Sequence, residues 1–447
     1  MPQLAWTQIA DPMVQHYEAA QNSLRTGSQE SAAIEYKAFL AEAIRRAANA
    51  RARAGELSGA ASSLHEALAF SGDDVGVQLD YASVLFDLGR LKEAEEPAQS
   101  AIRAEPKNAR ARSLLGQILF EKKEYGAASA HLQAALDLGD FSQVWRTLAI
   151  AYLRLQQLDR ARAVLGRMIA RLGDTPENRV TAATVYYYGD YADQAADELK
   201  NVIAAHPSTR DAHYYLALVF LARNEDAGYA KAEPELRAEL ALNPDDFRSR
   251  YMLGYIALQQ RKFAEAQPEL LKARSLNPTD ASVQLLLGQL YSETDRAAQA
   301  EEVLHALIAS WAENTPPDFR LVRAHYMLGR VLREGGHLEK GAAEIKEAEQ
   351  LRRQLRITSA ESSETRLRSL GSEDPANGSG RADQRSAKPN SSEQVRAQAF
   401  VAQISPLIGE AYYNLAGISA QRKDSATSAY YLQMAVTWDP SLAKVQH

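Results

Sequence analysis

Apolar residues recur along this chain at i, i+3/i+4 and i+7, the spacing of amphipathic helices. Residues 247–280, FRSRYMLGYIALQQRKFAEAQPELLKARSLNPTD, show the pattern most clearly. Leu253-Gly254 lie in the first half, Phe263 and Ala266 open the second, and Leu270, Ala273 and Pro278 follow. The next stretch starts at Ala281 and repeats the series with Leu287-Gly288, Tyr291, Ala300 and Leu304. Each half carries about 14 residues of this pattern, a helix of about four turns.

The period can be followed along the chain. A small residue at the first close contact of the second helix falls at Ala60, Ala94, Ala128, Ala161, Ala195, Ala232, Ala266, Ala300 and Gly341, in steps of 34, 34, 33, 34, 37, 34, 34 and 41. A second small residue stands twelve before most of them, at Ala48, Ala82, Gly116, Ala149, Ala183, Gly254, Gly288 and Gly329. Small residues at both marks let two helices approach closely. Pro106, Pro207, Pro244 and Pro278 keep the same phase and end second helices, because proline disfavours helix in the residue before it. Asp245 and Asp280 then suit N-caps of the next helix. Pro97, Pro234 and Pro268 are expected in the first turns of second helices, where proline is tolerated.

This pattern resembles the tetratricopeptide repeat family. Trp145, Leu148, Ala149, Tyr152, Ala161 and Leu165 come nearest to the family's Trp-Leu-Gly-Tyr-Ala-Phe order. The resemblance covers residues 41–355 and again 409–442. It implies an all-α fold, a right-handed superhelical solenoid of about 10–11 helix-turn-helix repeats. Two local departures are Asn224–Gly228, which adds three residues between the helices of one repeat, and Ala312–Asp318, a lengthened loop.

The expected organisation has four parts. Residues 1–40 form an atypical N-terminal helical repeat, with no breaker from Gln29 to Ala54. Residues 41–357 are the array of about nine repeats. Residues 358–393 are Ser- and Gly-rich with few large apolar side chains, the composition of a disordered linker. Residues 394–447 form a helix and one further repeat. Ser441 to His447 reads as the opening of another repeat, which points to a chain truncated there.

The composition is 46% hydrophobic and 24% charged, with a net charge of −6. That suits a soluble folded protein and gives no reason to expect nucleic acid as a partner. The absence of cysteine excludes disulfides, thiolate catalysis and Cys-ligated zinc. No apolar run approaches 18 residues, so no membrane span is expected. No basic start followed by an apolar run is visible in Met1 to Arg25, which favours a cytoplasmic over a periplasmic location. The Ala- and Arg-rich style suggests a bacterial source.

No phosphate-binding loop, dinucleotide fingerprint, nucleophile elbow or His-Glu-x-x-His occurs. The nine histidines are scattered without a second ligand at metal spacing. No enzyme activity and no cofactor are expected. The family resemblance implies instead that the first helix of each repeat lines a concave groove. Its inward positions are Tyr187, Tyr188, Tyr214, Arg248, Tyr251, Tyr255, Arg323, Tyr326, Arg330 and Arg333, with Arg146, Arg154 and Tyr413 in related places. Aromatic and Arg side chains anchor interfaces, although Tyr at the fifth position, as at Tyr214 and Tyr326, also packs between repeats. The family's carboxylate clamp has no counterpart, since Gly76, Asp80, Arg110 and Leu114 stand at its positions. The expected function is a scaffold binding protein or peptide segments. The alternative is an accessory segment of a larger enzyme or secretion protein whose other domain lies beyond residue 447.

Overall fold

The computed structural model describes residues 11–139, 142–222, 227–311, 317–355 and 391–445. The linker expected at 358–393 lies outside them except for residues 391–393, which open the last long helix, and so does most of the insertion expected at 224–228. The described residues form helices throughout, and the all-α fold expected from the periodicity is the one observed. The chain divides into two compact units, residues 1–155 with 379–447, and residues 156–378.

The first unit holds α1 (Pro12–Arg25), α2 (Gln29–Arg53), α3 (Leu57–Leu68), α4 (Val75–Asp87), α5 (Leu91–Ala104), α6 (Ala109–Glu121), α7 (Tyr125–Leu138) and α8 (Ser142–Arg154). The second holds α9 (Leu158–Leu172), α10 (Pro176–Tyr188), α11 (Ala192–Ala205), α12 (Ala212–Ala222), α13 (Gly228–Leu242), α14 (Phe247–Gln259), α15 (Phe263–Leu276), α16 (Ala281–Glu293), α17 (Ala297–Ser310), α18 (Phe319–Glu334) and α19 (Leu338–Gln354). The last helices, α20 (Ser391–Gln421) and α21 (Ser425–Trp438), belong to the first unit.

Several first helices start on a capping side chain. Asp74, Asn108, Asp246 and Asp280 accept the N–H of the residue three positions on, satisfying a donor the helix leaves open. The cap of α14 is Asp246, not the expected Asp245, which pairs with Lys272 at 2.8 Å. Second helices follow a residue in the left-handed region, at Gly55, Gly89, Lys123, Gln156, Asp190, Arg261 and Asp295, again in phase with the repeat.

The two helices of a repeat meet at the small residues. A methyl group added to Gly116, Gly254 or Gly288 would come within 2.6, 2.5 and 2.7 Å of Leu132, Leu270 and Leu304 respectively. Glycine at these three positions leaves room for the leucine side chain of the facing helix. Repeats then join through apolar clusters such as Leu285, Leu304, Leu307, Ala324, Leu328 and Leu332.

Several expectations are corrected. Pro97, Pro234 and Pro268 sit in the second turns of α5, α13 and α15, because these helices begin five or six residues earlier at Leu91, Gly228 and Phe263. The division expected at 40/41 falls inside α2, a single helix of 25 residues, since neither Gly nor Pro interrupts it. The C-terminal helix and the first helix of the last repeat are one helix of 31 residues, with Pro406 accommodated inside it. Residues Pro440–Val445 form a short 3-10 turn.

Candidate functional site

In both units successive first helices touch one another directly. The contacts run α2 to α4 to α6 to α8 in one unit, and α10 to α12, then α14 to α16 to α18, in the other. Successive second helices do not approach to this degree among the described residues. Each unit thus presents its first helices on its inner side, where side chains of several repeats converge.

In the first unit this face is organised around Asp80 of α4, only 8% exposed. Its carboxylate accepts Arg45 Nε at 2.8 Å and Asn49 Nδ2 at 2.9 Å from α2, and Arg110 Nη2 at 3.1 Å from α6. One buried acid thereby ties three repeats together. The Asp80 and Arg110 pair noted in the sequence stands here, filling what would be clamp positions with an internal ion pair. Beside it opens a groove of about 600 Å³, lined by Arg46, Asn49, Arg53, Asp80, Asp87 and Arg110, with Phe400 of α20 on one wall.

The ten residues singled out by the sequence all lie in the second unit, and burial separates them into two sets. Tyr187, Tyr188, Tyr214 and Tyr251 are buried. Tyr187 and Tyr188 pack edge to face at 5.1 Å, and Tyr214 and Tyr215 do the same at 5.4 Å. Tyr251 stacks on Phe247 at 6.4 Å. Arg248 covers the Tyr214 ring at 4.5 Å while pairing with Asp211 and with Asp246. Its guanidinium is held by its own repeats. Tyr255 is half-buried.

The accessible set is on α18. Arg323, Tyr326, Arg330 and Arg333 are spaced 3, 4 and 3 apart, which places them on one stripe of the helix. Arg323 Nη2 donates to Gln289 Oε1 of α16 at 2.6 Å, so the stripe borders the preceding first helix. Arg333 packs beside Gly341 of α19 at its other margin. Between them Tyr326 is 51% exposed, among the most exposed large aromatic side chains described. Arg330 meets Glu334 at 3.4 Å on the surface.

The sequence reading missed a ladder of side-chain pairs. Arg179 and Glu198 meet at 2.9 Å, Arg250 and Glu269 at 2.8 Å, and His325 and Glu344 at 2.6 Å, each joining first and second helices of one repeat across 19 residues. His213 and Glu235 do so at 2.6 Å across 22, the difference matching the three added residues of that repeat. An Arg or His in the first two turns of the first helix, 19 before a Glu, was the available signal at Arg179, Arg250 and His325. Among the described residues no group of three or more metal-ligating side chains forms.

Two family models for the tetratricopeptide repeat match the chain, one over residues 51–118 and 257–316, the other over 180–228 and 225–281. The chain is a tetratricopeptide repeat protein. Similar solved structures include a tetratricopeptide repeat protein from Parabacteroides merdae, 17% identical, covering 66% of this chain and 98% of that one at a TM-score of 0.37. Another is MamA from Desulfovibrio magneticus, 20% identical, covering 38% and 100% at 0.30. YrrB, described as a tetratricopeptide repeat protein with an unusual peptide-binding site, is 20% identical and covers 45% and 99% at 0.31. No curated protein matches the chain. Among the described residues of this repeat protein, no helix is long and apolar enough to cross a membrane.

Proposed function

We propose that this tetratricopeptide repeat protein is a non-catalytic scaffold, and that the exposed stripe of α18 binds an acidic protein or peptide segment. The observation that carries the reading is the stripe itself. Tyr326 offers a large, half-exposed ring, and Arg330 and Arg333 flank it with exposed guanidinium groups. A rigid aromatic supplies contact area at small entropic cost, and Arg pairs bidentately with carboxylates. Tyr255 and Arg248 lie nearer the core of the same unit and would lend the edge of the surface. The buried tyrosines set the spacing of the first helices and are not contacts.

The test is a display selection of peptides on the full chain, followed by titration of the selected binders. Selected sequences should be rich in Asp and Glu. Arg330→Glu combined with Arg333→Glu should weaken them at least tenfold, and raised salt should do the same. Tyr326→Ala and the pair Tyr255→Ala with Arg330→Glu report the aromatic contribution, with circular dichroism checking equal helicity. Binders that hold equally to wild type and charge-reversed protein would overturn the assignment.

A further inference from the structure

Between α13 and α15, second helices of successive repeats, the second unit holds a cleft of about 270 Å³. Its floor is the outer side of α14, the first helix between them, where Leu253, Ile256 and Ala257 are buried. Ala264 and Pro268 form the α15 wall with short side chains, and Glu233 and Arg237 stand on the α13 wall. The cleft thus opens on the outer side of the unit, away from the face where first helices converge. Sites for small-molecule ligands measure about 300–1,000 Å³, so this space suits one long side chain.

The uncommitted polar groups of the lining are acceptors. Gln260, at the end of α14, lines the cleft, and its Oε1 is buried with no hydrogen-bond partner among the described residues. Proline carries no N–H, so Pro268 does not close the helical bond to the Ala264 carbonyl four residues back. That oxygen is open to a donor on the same wall. Glu265 is exposed beside it and forms no ion pair among the described residues. Glu233 Oε1 accepts Arg237 Nη2 at 2.8 Å, and Glu269 Oε2 accepts Arg250 Nη1 at 2.8 Å, so each keeps one oxygen. The Arg237 guanidinium is held charged first by its bond to Glu233, and also by the charges of Glu269 and Glu265. Three lining carboxylates therefore stand against one lining guanidinium, already engaged.

We propose that this cleft takes an arginine side chain from a basic segment of a partner protein. A buried acceptor without a partner is costly, and a donor that enters the cleft removes that cost. Arg and Lys side chains donate without accepting, and their alkyl stems lie well on an apolar floor such as Leu253 and Ile256. The acceptors stand on different helices, Gln260 on α14, the Ala264 carbonyl and Glu265 on α15, and Glu233 on α13. A planar fork of five donors meets several of them at once, whereas a compact, strongly hydrated ammonium meets fewer. This surface is distinct from the α18 stripe and has the opposite charge preference.

The probe is a neutral Gly/Ser peptide carrying one Arg, titrated into the full chain with isotope-labelled Ile methyl groups read by NMR. The Ile256 methyl resonance, assigned with Ile256→Val, should shift and saturate. Citrulline in place of the Arg keeps the shape without the charge and should bind at least about tenfold more weakly. Lys in its place should bind several-fold more weakly. Ala264→Leu fills the cleft and should abolish the shift, and Glu265→Gln should weaken binding about three- to tenfold. Both changes fall at exposed helix positions, and circular dichroism checks that helicity is kept. Arg330→Glu with Arg333→Glu should leave the titration unchanged, which separates this site from the α18 stripe. A wild-type protein whose Ile256 resonance never saturates, or a shift that survives Ala264→Leu, would overturn the site. Equal binding of the Lys and Arg peptides would overturn the arginine assignment.

Discussion

The Glu239 carboxylate, on α13, accepts the backbone N–H of Asp211 at 2.9 Å. It also lies 3.4 Å from the N–H of Tyr214, so a second helix caps the start of α12 from outside. Glu239 is only 1% exposed, and burial raises its carboxyl above the usual range. Glu239→Ala would strand buried N–H groups of the first turn, a loss of about 1–3 kcal/mol. Hydrogen exchange of the α12 amides should accelerate accordingly. Glu239→Gln keeps a carbonyl acceptor in place and should recover most of the protection. Equal exchange in wild type and the Ala variant would mean that α12 does not depend on this cap.

Two glycines in one repeat should respond oppositely to the same methyl group. At Gly116 it would meet Leu132 at 2.6 Å, so Gly116→Ala overpacks the helix pair and should cost about 1–3 kcal/mol. At Gly126, early in α7, nothing lies within 4 Å, so Gly126→Ala should stabilise by about 0.5–1 kcal/mol through lost backbone freedom of the unfolded chain. Urea midpoints of the two variants decide it, and shifts of the same sign would refute the packing account.

Asp80 should matter far more than exposed ion pairs of the same unit. Asp80→Ala removes three hydrogen bonds that tie α2 and α6 to α4, and a loss of about 1–3 kcal/mol is expected. Arg103 and Glu96 also meet closely, at 2.6 Å, but on the open surface. Glu96→Ala should move stability by about 0.5 kcal/mol or less. Denaturant unfolding followed by helical signal separates the two cases.

The pair α20–α21 packs on α2 and α3, where the Glu66 carboxylate accepts Tyr412 Oη at 2.5 Å and Trp438 Nε1 at 2.8 Å, and this docking should depend on pH through Glu66. Burial raises its carboxyl above the ordinary value of 4.5, outweighing the bonds from Tyr412 and Trp438 and the nearby Arg51. The docked state therefore holds the proton more tightly than the separated state. Docking is strongest below about 4.5 and weakens as pH rises through the raised value. The indole N–H resonance of Trp438, assigned with Trp438→Phe, should move toward its free position over that range. In Glu66→Gln the movement should vanish, and a persisting one would place the titration elsewhere.

The repeat architecture was legible because the close contacts are written in small residues. Gly254 against Leu270 and Gly288 against Leu304 recur with the period, and so do the Asp caps. The turns inside repeats were less so. Lys123, Gln156 and Arg261 take left-handed backbone that a sequence usually announces with glycine. The face of the candidate site was only half readable. Helical spacing places Tyr214 and Tyr326 at equivalent positions, yet Arg248 of the next repeat covers Tyr214, while Tyr326 stays open. The seating of α20 on α2 left no periodic trace, because its partners are hundreds of residues apart and their pairing follows no local period.

That distance also sets a clock. The chain is made from its N-terminus, and α3 is complete long before Ser391 exists. At about 5–20 residues per second, roughly 15–65 seconds of synthesis separate Glu66 from the helix that covers it. During that interval Tyr36 and Glu66 lack their final partners, while the helices between them and α20 find neighbours at once. The least local contact among the described residues is thus the last to close, and the nascent chain carries an open helical face for most of its birth.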